Sequence, residues 1–320
     1  MDPRTVASGR PRRLPHALGA VATLAAGVAL VGGCGAGAQS PRQVLLDPER
    51  LLQDVSVLAH DSMQGRETGT AGAASARAFI QRSLEDAGVD PVGPAYGHPF
   101  TWARGTGQNV VARIPGEEHP QRYIVLTAHY DHEGVRDGEI YNGADDNASG
   151  VAALLALART VSAEPLRHSL LLVATDAEES GLQGARAFVA DPPVPLEAIR
   201  LNVNLDMVSR ADGVLWAGGA HHTPALRPVL ETVTAEPPLT LRLGHDRPNA
   251  PEGDDWTNAS DHGPFHEAGI PFVYFGVEDH ADYHRPTDDV ERVDPAEYAA
   301  VVRTILAALR ALDEALPLEP

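Results

Sequence analysis

The chain has 320 residues, 43% of them hydrophobic, and a formal net charge of -19. That length and apolar content allow a real core in one large domain or two small ones. The negative charge argues against nucleic acid or an anionic membrane surface as partner, since either would repel it. Lysine is absent and all 25 basic side chains are arginine, which in an alanine-rich chain reads as genome composition rather than chemistry.

Arg4, Arg10, Arg12 and Arg13 precede an apolar run from Leu18 to Val31, the layout of a secretory signal and too short to span a bilayer comfortably. Two processing sites are open. Leu30-Val31-Gly32-Gly33-Cys34 resembles a bacterial lipobox, whose cysteine is lipidated and becomes the mature first residue. Ala36-Gly37-Ala38 is a small-x-small site that would release a soluble chain starting at Gln39. The lipobox is preferred, so residues 1–34 are assigned to a signal peptide, 35–43 to a tether and 44–316 to the folded domain. The expected location is the cell envelope, or the periplasm or medium if the second site is cut. Membrane contact is confined to a lipid on Cys34. That residue is the only cysteine, so no internal disulfide can form, and stability rests on the core and any bound metal.

From Val44 the spacing of Leu51, Val55 and Leu58 predicts a helix, and a second runs from Ala71 to Ala87 with Gly88 as its stop. Gly65 to Gly72 between them reads as a loop. Asn109 to Ile114 and Tyr123 to Ala128 read as strands joined by the polar turn Pro115 to Gln121, which predicts an antiparallel hairpin. Tyr141 to Gly150 crowds acids and amides between a glycine turn and an apolar helix carrying Val151, Leu154, Leu155, Ala158 and Val161. Asp145 and Asp146 repel each other there unless a cation or hydrogen-bond donors separate them. Taken alone, the stretch reads equally well as an N-cap with a solvated acid. Ser169 to Thr175, Leu201 to Met207 and Pro271 to Phe275 are apolar runs of the kind buried on both faces of a sheet. Gly213 to Leu243 reads as strand, helix and strand, Gly244 to Ala259 as a long polar loop, and Pro295 to Leu316 as a closing amphipathic helix. Helices alternating with these strands predict a single-domain α/β/α sandwich around a mixed, mostly parallel sheet.

The acids and histidines fall at strand ends. In an open α/β sheet the loops at the carboxyl ends of the strands meet at one crevice, so His129, Asp146, Glu179, Asp206 and His284 can face one place. A pair of divalent ions needs one bridging ligand with oxygen or nitrogen ligands on each side. Asp146 can bridge, and two zinc ions would offset the carboxylates of Asp146, Glu179 and Asp206. Glu178 is left over as a base. Asp145 could bridge instead by a slip of one place, and His280 could replace His284.

At these residues the chain resembles the co-catalytic di-zinc aminopeptidase family, whose relatives include glutamate carboxypeptidase-type peptidases and glutaminyl cyclases. The resemblance covers about Leu51 to Leu312. It is carried by Ala128-His129-Tyr130-Asp131-His132, Gly143-Ala144-Asp145-Asp146-Asn147-Ala148-Ser149-Gly150, Ala177-Glu178-Glu179-Ser180-Gly181-Leu182, Asn204-Leu205-Asp206-Met207, Ser260-Asp261-His262 and Asp282-Tyr283-His284. It implies Asp146 as bridging ligand, with a cis peptide to Asn147. One zinc would take His129 and Asp206, the other Glu179 and His284. Glu178 would be the general base, Asp131 would hold His129 by its other ring nitrogen, and Asp261 would do the same for His284. The tyrosine that stabilises the oxyanion falls in a variable region and has no motif here.

The function implied is an exported, monomeric metallo-aminopeptidase acting on peptides. Two rivals stand beside it: a one-zinc cyclotransferase of the glutaminyl cyclase kind, and a non-catalytic zinc-binding lipoprotein. His132, His221, His222, His245, His262 and His266 read as surface or loop residues. Asp288 and Asp289 read as capping or solvated acids. The loops Val89 to Gly107 and Gly244 to Ala259 are expected to wall the pocket, with Trp102, Trp216 and Trp256 as lining or core residues.

Overall fold

In a computed structural model that describes residues 46–248 and 254–318, Leu51, Val55 and Leu58 share the buried face of helix α1 (Pro48–Leu58). Asp47 caps that helix by accepting the Glu49 amide at 3.0 Å, and Pro48 starts it with the fixed φ a first turn needs. The signal peptide, its Cys34 lipobox and the 35–43 tether expected from the sequence lie outside the described residues. Helix α2 (Ala71–Asp86) follows and ends before Gly88, whose φ is +69°. Next come the strands β1 (Asp90–Pro91), β2 (Gly97–Trp102), β3 (Gly105–Ile114) and β4 (His119–His129). A small hairpin of β5 (Gly134–Arg136) and β6 (Glu139–Tyr141) leads to α3 (Gly150–Ala163), β7 (His168–Thr175), α4 (Gln183–Ala190) and β8 (Ile199–Leu205). The remaining elements are β9 (Val214–Gly218), α5 (Leu226–Leu230), β10 (Thr240–Leu243), α6 (His262–Glu267), β11 (Phe272–Gly276) and α7 (Pro295–Ala315).

The main sheet has the strand order β1-β3-β7-β4-β8-β11-β9-β10, with β2 also paired to β3. Strands β7, β4, β8 and β11 run parallel at its centre, and the antiparallel pairings lie outside them. Successive side chains of a strand point to opposite faces, and the core divides accordingly. Ile124, Leu126 and Ala128 of β4 and Leu170, Leu172 and Ala174 of β7 join the cluster built with α1, α2, α3 and α7. Tyr123, Val125, Leu171 and Val173 join the other, with Phe188 of α4 and Phe265 of α6. Helices therefore cover both faces, which is the sandwich the alternation predicts.

The hairpin expected of β3 and β4 does not form. Strand β7 lies between them, antiparallel to β3 and parallel to β4. Every residue of β7 is buried, so a central position with two neighbours satisfies a backbone that an edge would leave bare. The polar turn becomes a short crossover over the start of β7. Glu117 N donates to Leu166 O and Glu118 N to Arg167 O, both at 3.0 Å, and Gly116 N donates to Ser169 Oγ at 3.0 Å. The turn residues alone look the same in either connection.

The crossing is close enough to demand glycine: a Cβ on Gly116 would stand 2.3 Å from the His168 carbonyl carbon. We expect Gly116→Val to lower stability by about 1–3 kcal/mol through overpacking against backbone, read as a shift of the urea midpoint. An unchanged midpoint would mean that the crossover has room to move.

Candidate active site

The four central strands end on one edge of the sheet, and the segments that leave them converge there. His129 is the last residue of β4 and Asp206 follows β8, with the Asp206 amide still donating to Phe275 O at 3.1 Å. Asp146 lies in the turn over residues 144–149 that opens α3, and its peptide to Asn147 is cis, as the resemblance implies. Asn147 stitches that turn to the end of β8. Its Nδ2 donates to Leu205 O at 2.9 Å, and its Oδ1 accepts from Gly150 N at 2.9 Å and Met207 N at 3.2 Å.

The five residues expected at one place are brought together. His129 Nε2 lies 3.3 Å from Asp206 Oδ1 and 3.4 Å from Asp146 Oδ1. His284 Nε2 lies 3.0 Å from Asp146 Oδ2 and 3.5 Å from Glu179 Oε2. Glu178 joins them in the wall of a cavity of about 250 Å³, together with Met207, Trp256, Tyr274, Val277 and Tyr283. A second cavity of about 480 Å³ lies on the side of Glu179 lined by Trp102, Arg104, His132 and Glu133. The two segments expected to wall the pocket thus each supply a tryptophan, but the first, Val89 to Gly107, is mostly the strands β1 and β2 and the start of β3 rather than a loop, because its residues pair along the edge of the main sheet. Trp216 instead packs edge-on against His245, with ring centres 4.3 Å apart.

The charges press on one another. Burial alone would lower His129, but Asp206, Glu178 and Asp146 reverse this and hold it well above the usual imidazole range. Glu178 is pushed well above the usual carboxylate range, by burial first and then by Asp206, Asp261 and Glu179, against the opposing charge of His129.

Asp145, the alternative bridge, faces away: its Oδ1 accepts the Ser209 amide and hydroxyl at 2.8 and 2.7 Å, and its Oδ2 lies 3.1 Å from His280 Nε2. His280 is thereby committed to Asp145 rather than to the cluster. Asp131 sits beside His129, but the contact at hydrogen-bond distance runs from Nδ1 to the Asp131 backbone carbonyl at 3.2 Å, with the carboxylate at 3.9 Å. The Asp131 carboxylate instead accepts the Glu178 amide at 3.0 Å and the Glu179 amide at 3.3 Å, and so sets the turn that carries both glutamates. Asp261 does not pair with His284. It is fully buried, accepts the Thr175 hydroxyl, and burial pushes it up to about 6. Among the described residues the carboxylates within ion-pair reach of His284 are Glu133, Asp146 and Glu179.

The match to the family model for peptidase family M28 spans residues 109–309, from the strand β3 to the closing helix. The chain belongs to peptidase family M28. Aminopeptidase YwaD of Bacillus subtilis (strain 168) is 30% identical to it over 199 residues, which is 59% of this chain and 41% of that protein. The match therefore spans less than half of that relative's length. This M28 chain is similar in structure to a zinc aminopeptidase from Bacillus subtilis (TM-score 0.64, 18% identity, covering 82% of this chain and 94% of that one). It is also similar to Porphyromonas gingivalis glutaminyl cyclase (TM-score 0.67, 21% identity, covering 85% and 99%). At those identities the likeness establishes a shared fold.

The donor set of this M28 chain fits a divalent metal. Asp146 Oδ2 is buried without an aligned hydrogen-bond donor, although His284 Nε2 is near. Ligand atoms of His129, Asp146 and Asp206 lie within 4.8 Å of one another, as do those of His132, Asp146 and Glu179, and those of Glu133, Glu179 and His284. Mixed imidazole and carboxylate groups suit zinc and its borderline neighbours.

Several residues of the site escape the sequence. His132 and His262 are not surface histidines but fully buried, and burial lowers them to about 3 and about 4. Asp288 is not solvated. It accepts the amides of Asp145 and Asp146 at 3.0 and 3.1 Å beneath the turn, and burial followed by the charge of Asp145 pushes it up to about 7. Arg66, in the expected loop, is completely buried. Its Nε donates to Tyr130 O at 2.8 Å, Nη1 to Leu58 O at 2.8 Å and Asn142 O at 2.5 Å, and Nη2 to Gly143 O at 3.0 Å. Burial lowers it to about 10, with Asp146 and Asp288 opposing, so it stays charged at neutral pH.

Arg66→Met would strand four carbonyls, three on the two loops that carry His129 and Asp146 and one at the end of α1. At about 1–3 kcal/mol for each buried group left unpaired, a total loss of at least ~3 kcal/mol is expected in denaturant unfolding. A loss near zero would show that water replaces the guanidinium.

Proposed function

We propose that the chain is an exported, monomeric metallo-aminopeptidase that removes the first residue of peptides and uses two zinc ions. The observation that carries this is the convergence of His129, Asp146, Glu179, Asp206 and His284 on one cavity, with Glu178 in its wall. Asp146 would be shared, His129 and Asp206 completing one ion's set and Glu179 and His284 the other's. Zinc held there would supply Lewis acidity toward the scissile carbonyl and lower the pKa of water.

The protein's own part in the reaction is proton handling and placement. Glu178 takes a proton from the attacking water as its oxygen bonds to the carbonyl carbon, then passes that proton to the amine nitrogen as the C–N bond breaks. Burial favours the protonated form of Glu178 that the second transfer needs. Asp131 aims Glu178 through its backbone amide. Of the two tyrosines in the cavity wall, Tyr274 donates to Asp206 O at 3.3 Å. That leaves Tyr283, stacked on His284 with ring centres 3.9 Å apart, to donate to the carbonyl oxygen. Export rests on the basic and apolar amino-terminal segment with its lipobox at Cys34.

A one-zinc glutaminyl cyclotransferase is the second reading, favoured by the structural likeness to the Porphyromonas gingivalis enzyme. A panel of aminoacyl anilides, N-blocked peptides and glutaminyl peptides separates the two. Release of the first residue from unblocked substrates alone is expected, and cyclisation of glutamine without hydrolysis would overturn it. Glu178→Gln should keep the bound zinc and lower kcat by about 10²–10⁴; near-normal turnover would remove Glu178 from its role.

Chelation should abolish activity and lower the melting temperature by several degrees, with zinc or cobalt restoring both. Metal that binds only the folded chain stabilises it by linkage, about 4 kcal/mol at a thousand times the dissociation constant. Equal melting of the stripped and loaded protein at neutral pH would sink the metal assignment.

A further inference from the structure

The mechanism above leaves His132 without a task, yet its placement is among the tightest at the site. Its side chain has no exposure, and its ring packs on Gly143 so closely that a Cβ there would stand 2.5 Å from His132 Cδ2. Gly143 is itself fixed, with φ +56° and its carbonyl held by Arg66. His132 Nδ1 lies 2.8 Å from Glu179 Oε1 and 3.8 Å from Asp146 Oδ2, while Nε2 is buried without a partner. A carboxylate oxygen can only accept, so the proton of this contact sits on Nδ1.

The spacing favours a donor over a ligand, although ligand atoms of His132, Asp146 and Glu179 lie within 4.8 Å of one another. Two atoms bound to one tetrahedral zinc at about 2.0–2.1 Å each are ~3.3 Å apart. The pairs His284 Nε2 with Asp146 Oδ2 (3.0 Å) and with Glu179 Oε2 (3.5 Å) straddle that value. His132 Nδ1 and Glu179 Oε1 are closer, at hydrogen-bond distance. The remaining oxygen, Oε2, is the one turned to His284.

We propose that His132 is a positioning residue: it holds Glu179 by Oε1 so that Oε2 is presented to the metal shared with Asp146 and His284, an inference that rests on the di-zinc reading above. The ring cannot swing away because Gly143 backs it, so the glutamate arrives with one oxygen already committed. Outer partners of this kind typically change metal affinity by about 10- to 100-fold when removed.

The test is zinc binding to the full chain, measured by chelator competition and metal content rather than by activity. His132→Phe keeps the ring and removes the donor. His132→Asn places an amide N–H where Nδ1 stood, and His132→Gln places it one bond further out. His132→Phe and His132→Gln are expected to weaken one of two zinc ions by about 10- to 100-fold and leave the other unchanged, with His132→Asn recovering most of the loss. Either loss variant serves if the other fails to fold. Two ions bound as tightly by the loss variants as by the wild type would overturn the proposal. So would an Asn variant as weak as the others, which would make His132 itself a ligand. The wild-type titration tests the di-zinc reading by itself: a wild type that takes up no zinc overturns both, whereas two ions in the wild type and in the loss variants overturn only the role of His132.

Discussion

The constraint on which the structure turns is the gathering of Asp146, Glu178, Glu179 and Asp206 at the buried edge of a parallel sheet. Bringing carboxylates out of water costs several kcal/mol each unless something compensates. His129 and His284 meet three of these side chains, but the fold does not rely on positive groups alone. It fixes their backbones, and it does so with further acids: Asp131 accepts the amides of Glu178 and Glu179, and Asp288 accepts those of Asp145 and Asp146. Asp176 does the same one step back, taking the Gln108 amide at 2.9 Å and the Tyr130 hydroxyl at 2.9 Å. Each such contact is geometrically firm and adds negative charge. The histidine held above its range and the glutamate held above its range are two signs of the same excess.

Arg66 answers part of that excess and also joins the parts. Its guanidinium reaches carbonyls on the His129 loop, on the Asp146 loop and at the end of α1, and it comes from a segment that precedes the sheet altogether. A lysine could not do this, because an ammonium has three N–H donors and the guanidinium has five to meet four carbonyls. Backbone conformation carries the remaining cost. Arg66, Ala177, Met207 and His284 all have φ between +50° and +58°, each beside or within the site. Non-glycine residues there cost on the order of 1–3 kcal/mol each and persist where surrounding contacts over-determine them.

Those same features explain which parts of the molecule are legible in the sequence. The five clustered residues are, because His129 and Asp206 sit directly at strand ends, Asp146, Glu179 and His284 lie in the connecting segments at the same end, and strand runs such as Leu170 to Ala174 are unmistakable. So is the sandwich, since helix and strand periods alternate cleanly. The neighbour of β3 is not, because a polar turn before β4 reads alike whether it closes a hairpin or crosses a strand that arrives fifty residues later. Arg66 and Asp288 are invisible for a related reason. A buried polar residue is defined by what it meets: three of Arg66's four partners lie 64 to 77 positions away, and those of Asp288 about 143. His132 adds a further lesson: three residues after His129 it stands in the same motif, yet nothing local distinguishes it from a loop histidine.

The shape around Glu179 bears on how a peptide would lie. The cavity behind it is about 250 Å³, below the ~300–1,000 Å³ usual for pockets that take drug-sized ligands. Its walls include the aromatic faces of Trp256, Tyr274 and Tyr283. Such a volume suits one side chain. On the other side of Glu179 the larger cavity of about 480 Å³ is bordered by Arg104, Glu133 and Arg136, charged groups suited to an extended polar backbone. A substrate spanning both would expose the bond one residue in from its end. That division accords with the proposed removal of a terminal residue.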